Sequence, residues 1–309
     1  MKLTPERVTM SRNLRRTLLT VVVLIAMFGT HQSSSPAIPS AHGDEPSVAP
    51  TRESAISPTD APIKLFNGRD LDGFYTWIRG SKYEDPKNVF TIQDGMIHIS
   101  GDGYGGLITQ KTYRDYHLIV EFKWGEKTWG DRVNGARDSG VLVHAWGPDG
   151  GYSDTWMASI EAQIIEGGVG DILVLSGKDP TTGEVLTTSL TAEISKDRDG
   201  EKVWKKGGER LTLSSGRVNW FGRDVDWSDK VGFRGKDDVE SPTGQWTRLE
   251  VIADGDSLQY KVNGVVVNEG FDAKPDFGKI LLQTEQAEMF VRRYELWPLG
   301  KAPTDELKQ

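Results

Sequence analysis

Cysteine is absent from the 309 residues. Without it there is no disulfide framework and no lipid-modified cysteine, so the fold must stand on its apolar core. Basic surface is short as well: the formal charge is −8, and residues 1–30 hold Lys2, Arg7, Arg12, Arg15 and Arg16 against Glu6 alone, leaving the remainder more acidic still. No basic groove stands out, which argues against a nucleic-acid partner and suits a neutral or cationic ligand. Long helical runs are few. What is present instead is 35 glycines, ten tryptophans and many short apolar stretches between turn signals, the make-up of an all-β domain. With 37% apolar and 27% charged residues, the chain is long enough to bury a full core.

The extended apolar run at 18–28 follows a basic region ending at Arg15 and Arg16. It is short for a membrane span and reads as an export signal over residues 1–30, with Met10 as an alternative start. Small residues for cleavage stand at Ser35, Ala37, Ser40 and Ala41. The mature protein is therefore expected in the periplasm or outside the cell, without stable membrane insertion after cleavage; an uncleaved membrane anchor is the alternative. Residues 31–62 are Ser, Pro, Ala, Asp and Glu with little to bury, and are expected to form a disordered linker.

Short strands then follow one another from residue 63 to about 300, with 301–309 as a tail. Residues 89–92 and 96–99 flank the turn Asp94-Gly95, and 116–124 alternates cleanly, with Leu118, Val120, Phe122 and Trp124 on one side. Val141, Val143 and Ala145 repeat the pattern and predict His144 on the other face, with Leu142 and Trp146. Segments 245–252, 257–262 and 265–267 are strands, the last two joined by the hairpin turn Asn263-Gly264, and 279–283 and 288–297 close the set. The charged stretch 176–235 is expected to hold loops and extra strands, because it has no contiguous apolar pattern to close a core of its own. Many short antiparallel strands with distant partners predict a two-sheet jelly-roll sandwich.

One stretch of that pattern carries chemistry. Residues 159–166 place Glu161, Gln163 and Glu166 in an apolar strand, followed by Gly167, Gly168 and Gly170. Period two puts Glu161 and Gln163 on one face and Ile160, Ala162 and Ile164 on the other. Glu166 is out of phase, and a bulge near Ile164 and Ile165 would return it to the side of Glu161. The expectation is a shared face holding Glu161, Gln163, Glu166 and His144. A plain solvated strand face is the alternative, and His144 beside Trp146 could equally be a core histidine.

Further motifs stand in fixed order along the chain: LFNGRDLDG at 65–73, FTIQDGMIHISG at 90–101, YRDYHLIVEF at 113–122, SGV at 139–141, EAQI at 161–164, GQW at 244–246 and VNG at 262–264. Together they resemble the 3-keto-disaccharide hydrolase domain family, over about residues 63–299. The resemblance implies a concanavalin A-like jelly roll and cleavage of glycosides already oxidised to a ketone at sugar carbon 3. The chain differs from the commoner pattern in the insertion 204–235, in Glu166 where an aspartate is frequent, and in the pair Arg293-Tyr294. The stretch 161–166 also resembles the signature of retaining β-glucanases, whose two glutamates lie ~5 Å apart as nucleophile and acid/base. There Gln163 replaces the charged middle aspartate, which ranks ordinary retaining hydrolysis below the keto-sugar reading.

A ketone at carbon 3 acidifies the hydrogen on carbon 2. A base can then remove it, and the aglycone leaves carbon 1 by elimination before water adds back. The site needs a base, a donor or cation for the enolate oxygen, and an acid for the leaving group. Glu161 or His144 is the candidate base and Glu166 the candidate acid; Gln163 and Arg234 are candidates to hold hydroxyls or the ketone. Trp156 offers an aromatic face for a sugar ring, and Asp171, Glu285 and Arg292 are further candidate substrate contacts. No cofactor is demanded, although a divalent cation (Ca, Mn or Mg) held by Glu161, His144 and Glu166 would serve the enolate as well. The expected partners are a keto-sugar or glycoside substrate and an upstream sugar oxidoreductase that makes the ketone. A retaining glycosidase and a non-catalytic carbohydrate-binding module remain as the other two classes.

Overall fold

Alternation over Tyr116–Thr128 puts Tyr116, Leu118, Val120, Phe122 and Trp124 on one side of the longest strand, and all five are buried in the main core. In the computed structural model, which describes residues 50–309, this strand pairs with Thr247–Asp254 on one edge and Ala287–Trp297 on the other. These three form the middle of an eleven-stranded sheet that runs out through Ser257–Val262, Val265–Lys274 and Ser189–Lys196 on one side and Met96–Ile99 and Phe90–Gln93 on the other. A seven-stranded sheet is ordered Gly216–Val218, Ile172–Leu175, Ala158–Ile165, Asp138–Trp146, Lys279–Glu285, Tyr104–Thr109, Phe74–Ile78. Neighbours in this smaller sheet are antiparallel throughout. The protein is an all-β jelly-roll sandwich, with one short 3-10 turn at Gly130–Arg132 among the described residues.

The core lies between the sheets. Val120 and Phe122 of the larger sheet share it with Val141, Val143, Ile160, Ala162, Ile164 and Leu282 of the smaller one. Glu161 and Gln163 therefore point away from it, onto the outer face of the smaller sheet. That face is not simply wet, because a second apolar cluster of Trp77, Ile108, Leu142, Trp156, Met157, Leu175 and Leu281 covers much of it. The expected hairpin turns are in place: Asn263 and Gly264 have φ of 48° and 84°, and Asp94 and Gly95 have 52° and 73°. Positive φ at both central positions is what a two-residue turn needs to match strand twist.

The export signal expected at residues 1–30, and the linker as far as residue 49, lie outside the described residues. The rest of the expected linker is packed rather than disordered. Ala55 is buried, Ile56 bridges to Tyr113, and the Arg52 guanidinium pairs with Asp276 at 2.5 Å and Asp115 at 3.3 Å. The apolar pair at 55–56 and one arginine suffice to hold a stretch whose average composition is that of a coil. The segment 301–309 also returns to the sandwich: the Gln309 amide exchanges two hydrogen bonds with the Trp246 backbone, and the Asp305 carbonyl accepts from Arg248.

Candidate active site

Glu161 is held at the middle of the smaller sheet by its register. It lies opposite Leu142 on one neighbouring strand and opposite Leu173 on the other. One pleat further, Gln163 lies opposite Gly140, and Gln283 opposite Gly106. Side chains at Gly140 and Gly106 would fill this row. At Gly140 the space is taken by the site itself: a Cβ there would collide with Oε1 of Glu161 and lie 2.6 Å from Oε1 of Gln283. Two pleats further, Asp138 lies opposite Ile165, and Glu285 opposite Tyr104. A buried sheet face thus carries Glu161, Gln163, Gln283, Asp138 and Glu285 side by side, each 3–4% exposed or less apart from the half-buried Glu285.

Two cations serve these three carboxyls. Arg132, the last residue of the 3-10 turn Gly130–Arg132, donates a short hydrogen bond to Asp138 and lies 3.5 Å from Glu285. Gln163 Nε2 donates a second short bond to the other oxygen of Asp138. The guanidinium of Arg217, on the edge strand Gly216–Val218, makes no hydrogen bond among the described residues and approaches Asp171 only to 3.8 Å. Its charge nevertheless acts on Asp138, Glu161, Asp171 and Glu285 together.

The Glu161 carboxyl has neither a hydrogen bond nor an ion pair among the described residues, and the neighbouring Gln283 Oε1 is likewise without a hydrogen bond. Burial pushes its carboxyl well above the ordinary range, Glu285 and Asp138 push it further, and Arg217 opposes them. Asp138 is raised by burial and by Glu285 in spite of Arg132, and Glu285 is raised by burial. An unpaired carboxyl in such surroundings is the pattern of an acid/base group.

Aromatic rings wall the site. Trp156 donates its indole N–H to the Gly105 carbonyl at 3.0 Å, and Tyr152 stacks on it at 6.3 Å and 25°. Tyr104 meets Trp156 edge-on at 6.3 Å and donates its hydroxyl to Gln286.

Of the residues expected from sequence, Glu161, Gln163, Glu285 and Trp156 come together on this face. The others do not. Glu166 is not returned by a bulge: pairing with the neighbouring strand runs unbroken from Val143–Ile160 to Asp138–Ile165. It stays out of phase and accepts from Arg137 Nη1 at 2.7 Å, Arg137 N at 3.0 Å, Gly232 N at 2.7 Å and Thr243 Oγ1 at 3.1 Å. Four donors make it a structural anchor. The bulge occurs instead between Val143 and Trp146, where His144 adopts φ 52°. The extra residue turns the imidazole inward, edge-on to the core ring Tyr116 at 6.4 Å, and burial pushes its pKa down to about 4. Glu161, His144 and Glu166 therefore do not converge, and cannot jointly hold a divalent cation.

Asp171 is spent on the loop 219–223: it accepts from Trp220 N at 2.8 Å and binds Arg223 closely. Arg234 donates to the Ser241 and Glu240 carbonyls, closing its own loop. Arg292 lies on the larger sheet, bonded to Glu121 at 2.7 Å and stacked over Trp246 at 4.3 Å. Sequence reasoning missed Asp138, Arg132, Arg217, Gln283 and Tyr152. For two of them a signal existed: carrying the phase of Leu142 back by two and four residues reaches Gly140 and Asp138, and carrying that of Leu281 forward by two reaches Gln283.

The profile of the 3-keto-alpha-glucoside-1,2-lyase-like domain matches residues 61–296 of the chain. No curated protein matches it. Similar solved structures include a candidate glycosyl hydrolase from Parabacteroides distasonis, at 17% identity over 77% of this chain and 94% of that one, with a TM-score of 0.44. Carbohydrate-binding module CBM66 from Bacillus subtilis aligns at 10% identity over 72% and 93%, TM-score 0.40. A Bacillus licheniformis β-glucanase aligns at 11% over 77% and 99%, TM-score 0.41.

Proposed function

The chain belongs to the 3-keto-alpha-glucoside-1,2-lyase-like domain family and is a carbohydrate-active protein; from that premise we propose that it cleaves glycosides bearing a ketone at sugar carbon 3, by elimination across carbons 1 and 2. The observation that carries the reading is Glu161, a buried carboxyl without a partner, set over Gly140 beside Gln163, which Asp138 holds in place.

In this reading Glu161 takes the hydrogen from carbon 2. Its raised pKa makes its ionised form a stronger base than an exposed carboxylate. Arg217 is the cation for the enolate oxygen, since its guanidinium has no other hydrogen-bonding duty and its field already reaches the site carboxyls. Gln283 and Gln163 are placed to orient ring hydroxyls. Gln163 is itself fixed through Asp138 and Arg132, so its orientation is set before substrate arrives. Trp156 and its neighbouring rings supply an apolar wall for the pyranose. Export, with an oxidoreductase upstream to make the ketone, belongs to the same proposal and rests on the basic and apolar amino end.

Turnover in heavy water tests the chemistry. A 3-keto-glycoside should yield the enone, which takes up deuterium at carbon 2 when heavy water adds across its new double bond; the unoxidised glycoside should be inert, and Glu161→Gln should lower the rate by about a hundredfold or more. Cleavage of unoxidised sugar with no exchange at carbon 2 would instead mean direct hydrolysis at carbon 1.

A further inference from the structure

With Glu166 tied to four donors, the elimination proposed above lacks a proton for the departing oxygen. That proton must come from the Glu161 face. Asp138 is held by Arg132 and Gln163, Glu285 is paired with the same Arg132 at 3.5 Å, the Tyr104 hydroxyl donates to Gln286, and the Tyr75 hydroxyl donates to Asp149 at 2.8 Å. The Tyr152 hydroxyl has no hydrogen-bond partner among the described residues, and the side chain is only half buried. We propose that Tyr152 is the acid that protonates the leaving-group oxygen, a role that rests on the elimination reading.

Placement supports this. Tyr152 and Leu173 both pack on the apolar cluster that contains Leu142, and Leu173 and Leu142 are the two residues that flank Glu161 across the strands. The phenol therefore lies on the same face as the base, near enough for the Glu161 charge to act on it. Its backbone is fixed by a tight turn: Tyr152 N donates to the Trp156 carbonyl at 2.7 Å, and Trp156 N donates back at 3.0 Å. Inside the turn Ser153 and Asp154 have φ of 54° and 55°, a conformation that non-glycine residues hold only when their surroundings enforce it. Arg79 does so, donating to Thr155 Oγ1 at 2.6 Å while its guanidinium rests 4.6 Å from the Tyr104 ring centre. The turn is braced at both ends, the ring is stacked on Trp156, and the hydroxyl is left without a hydrogen bond among the described residues.

Glu161 accepts the carbon 2 proton, and the electrons of that C–H bond form the enolate across carbons 2 and 3. Collapse of the enolate restores the ketone, forms the double bond between carbons 1 and 2, and breaks the bond from carbon 1 to the aglycone oxygen. That oxygen takes the Tyr152 proton. Water then reprotonates the tyrosinate, and Glu161 releases its proton to solvent, leaving an enone and an alcohol with no net proton change. Burial, together with the nearby charges of Glu161 and Glu285, keeps the phenol protonated between turnovers.

The test compares Tyr152→Phe with wild type on methyl and 4-nitrophenyl 3-keto-glucosides, and on 1,5-anhydro-3-ketoglucitol, which has no leaving group. The variant keeps the ring and its stack on Trp156, and deletes a hydroxyl that makes no hydrogen bond, so its thermal midpoint should match wild type. Methanol release should fall about a hundredfold, the scale for loss of a general acid, while 4-nitrophenolate, which leaves without a proton, should be released at nearly the wild-type rate. Exchange of the carbon 2 hydrogen of the anhydro sugar should be unchanged. Equal losses on the two glycosides, or none on either, would overturn the role of Tyr152 while the elimination stands. Absence of exchange in the wild-type protein would overturn the elimination reading, and Tyr152's role with it.

Discussion

The carboxyl of Glu161 occupies the space that a side chain at Gly140 would need. Backbone strain is not the reason for glycine here, because Gly140 does not have a positive φ. Gly140→Ala should therefore fold, with the small entropic gain of alanine offset by crowding that costs about 1–3 kcal/mol. Its effect falls on the groups that must yield, the tips of Glu161 and Gln283. Displacing a reacting group by about 1 Å costs on the order of a hundredfold in rate. The expected outcome is a chemical-denaturation midpoint lowered by no more than that crowding accounts for, together with about a hundredfold loss of turnover per folded molecule; a large loss of stability with normal turnover per folded molecule would mean that Gly140 serves the fold instead.

Glu166 is the opposite case. Its side chain is 3% exposed and that of Arg137 10%, and between them they close the junction of the strand end with the loops carrying Gly232 and Thr243. Removing one member of such a pair strands the other charge, at a cost of about 3–5 kcal/mol. Glu166→Ala should lower the denaturant midpoint accordingly. An unshifted midpoint with lost turnover would return Glu166 to the chemistry.

How far these roles were legible in the sequence follows from what alternation can encode. The inward side of 116–124 and the shared face of Glu161 and Gln163 follow from period two, and Asn263-Gly264 names its own turn, so the sandwich and the centre of the site could be read directly. His144 and Glu166 were misplaced for one reason. A bulge shifts phase by one residue, and nothing local distinguishes a strand that bulges at His144 from one that bulges at Ile164. Arg132 and Arg217 were invisible for another: one comes from a three-residue 3-10 turn and the other from a three-residue edge strand, and each is brought near the carboxyls only by the tertiary fold. Asp171, Arg234 and Arg292 were credible by residue type, but each is already satisfied by groups that only the tertiary fold brings near it.

The pH dependence of the protein should carry the marks of Glu161 and His144 with opposite signs. Glu161 is raised when folded, so between the ordinary carboxylate pKa and its own higher one the folded chain holds a proton that the unfolded chain has released. Its contribution to stability is thus lost as pH rises through that window. His144 is lowered to about 4 from 6.5, so the unfolded chain binds the extra proton, and stability is lost as pH falls from about 6.5 towards 4. Replacing Glu161 with Gln removes the first effect and leaves the second. The difference between Glu161→Gln and wild type therefore isolates Glu161: thermal midpoints should nearly coincide at about pH 4 and separate in favour of the variant as pH rises. Wild-type turnover, which needs Glu161 ionised, should rise over the same window, so that the charge that costs stability is the one that supplies the base. A variant less stable than wild type at pH 8 would show that Arg217 and Arg132 hold Glu161 ionised in the folded protein, and its acid limb would then lie at or below the ordinary carboxylate range.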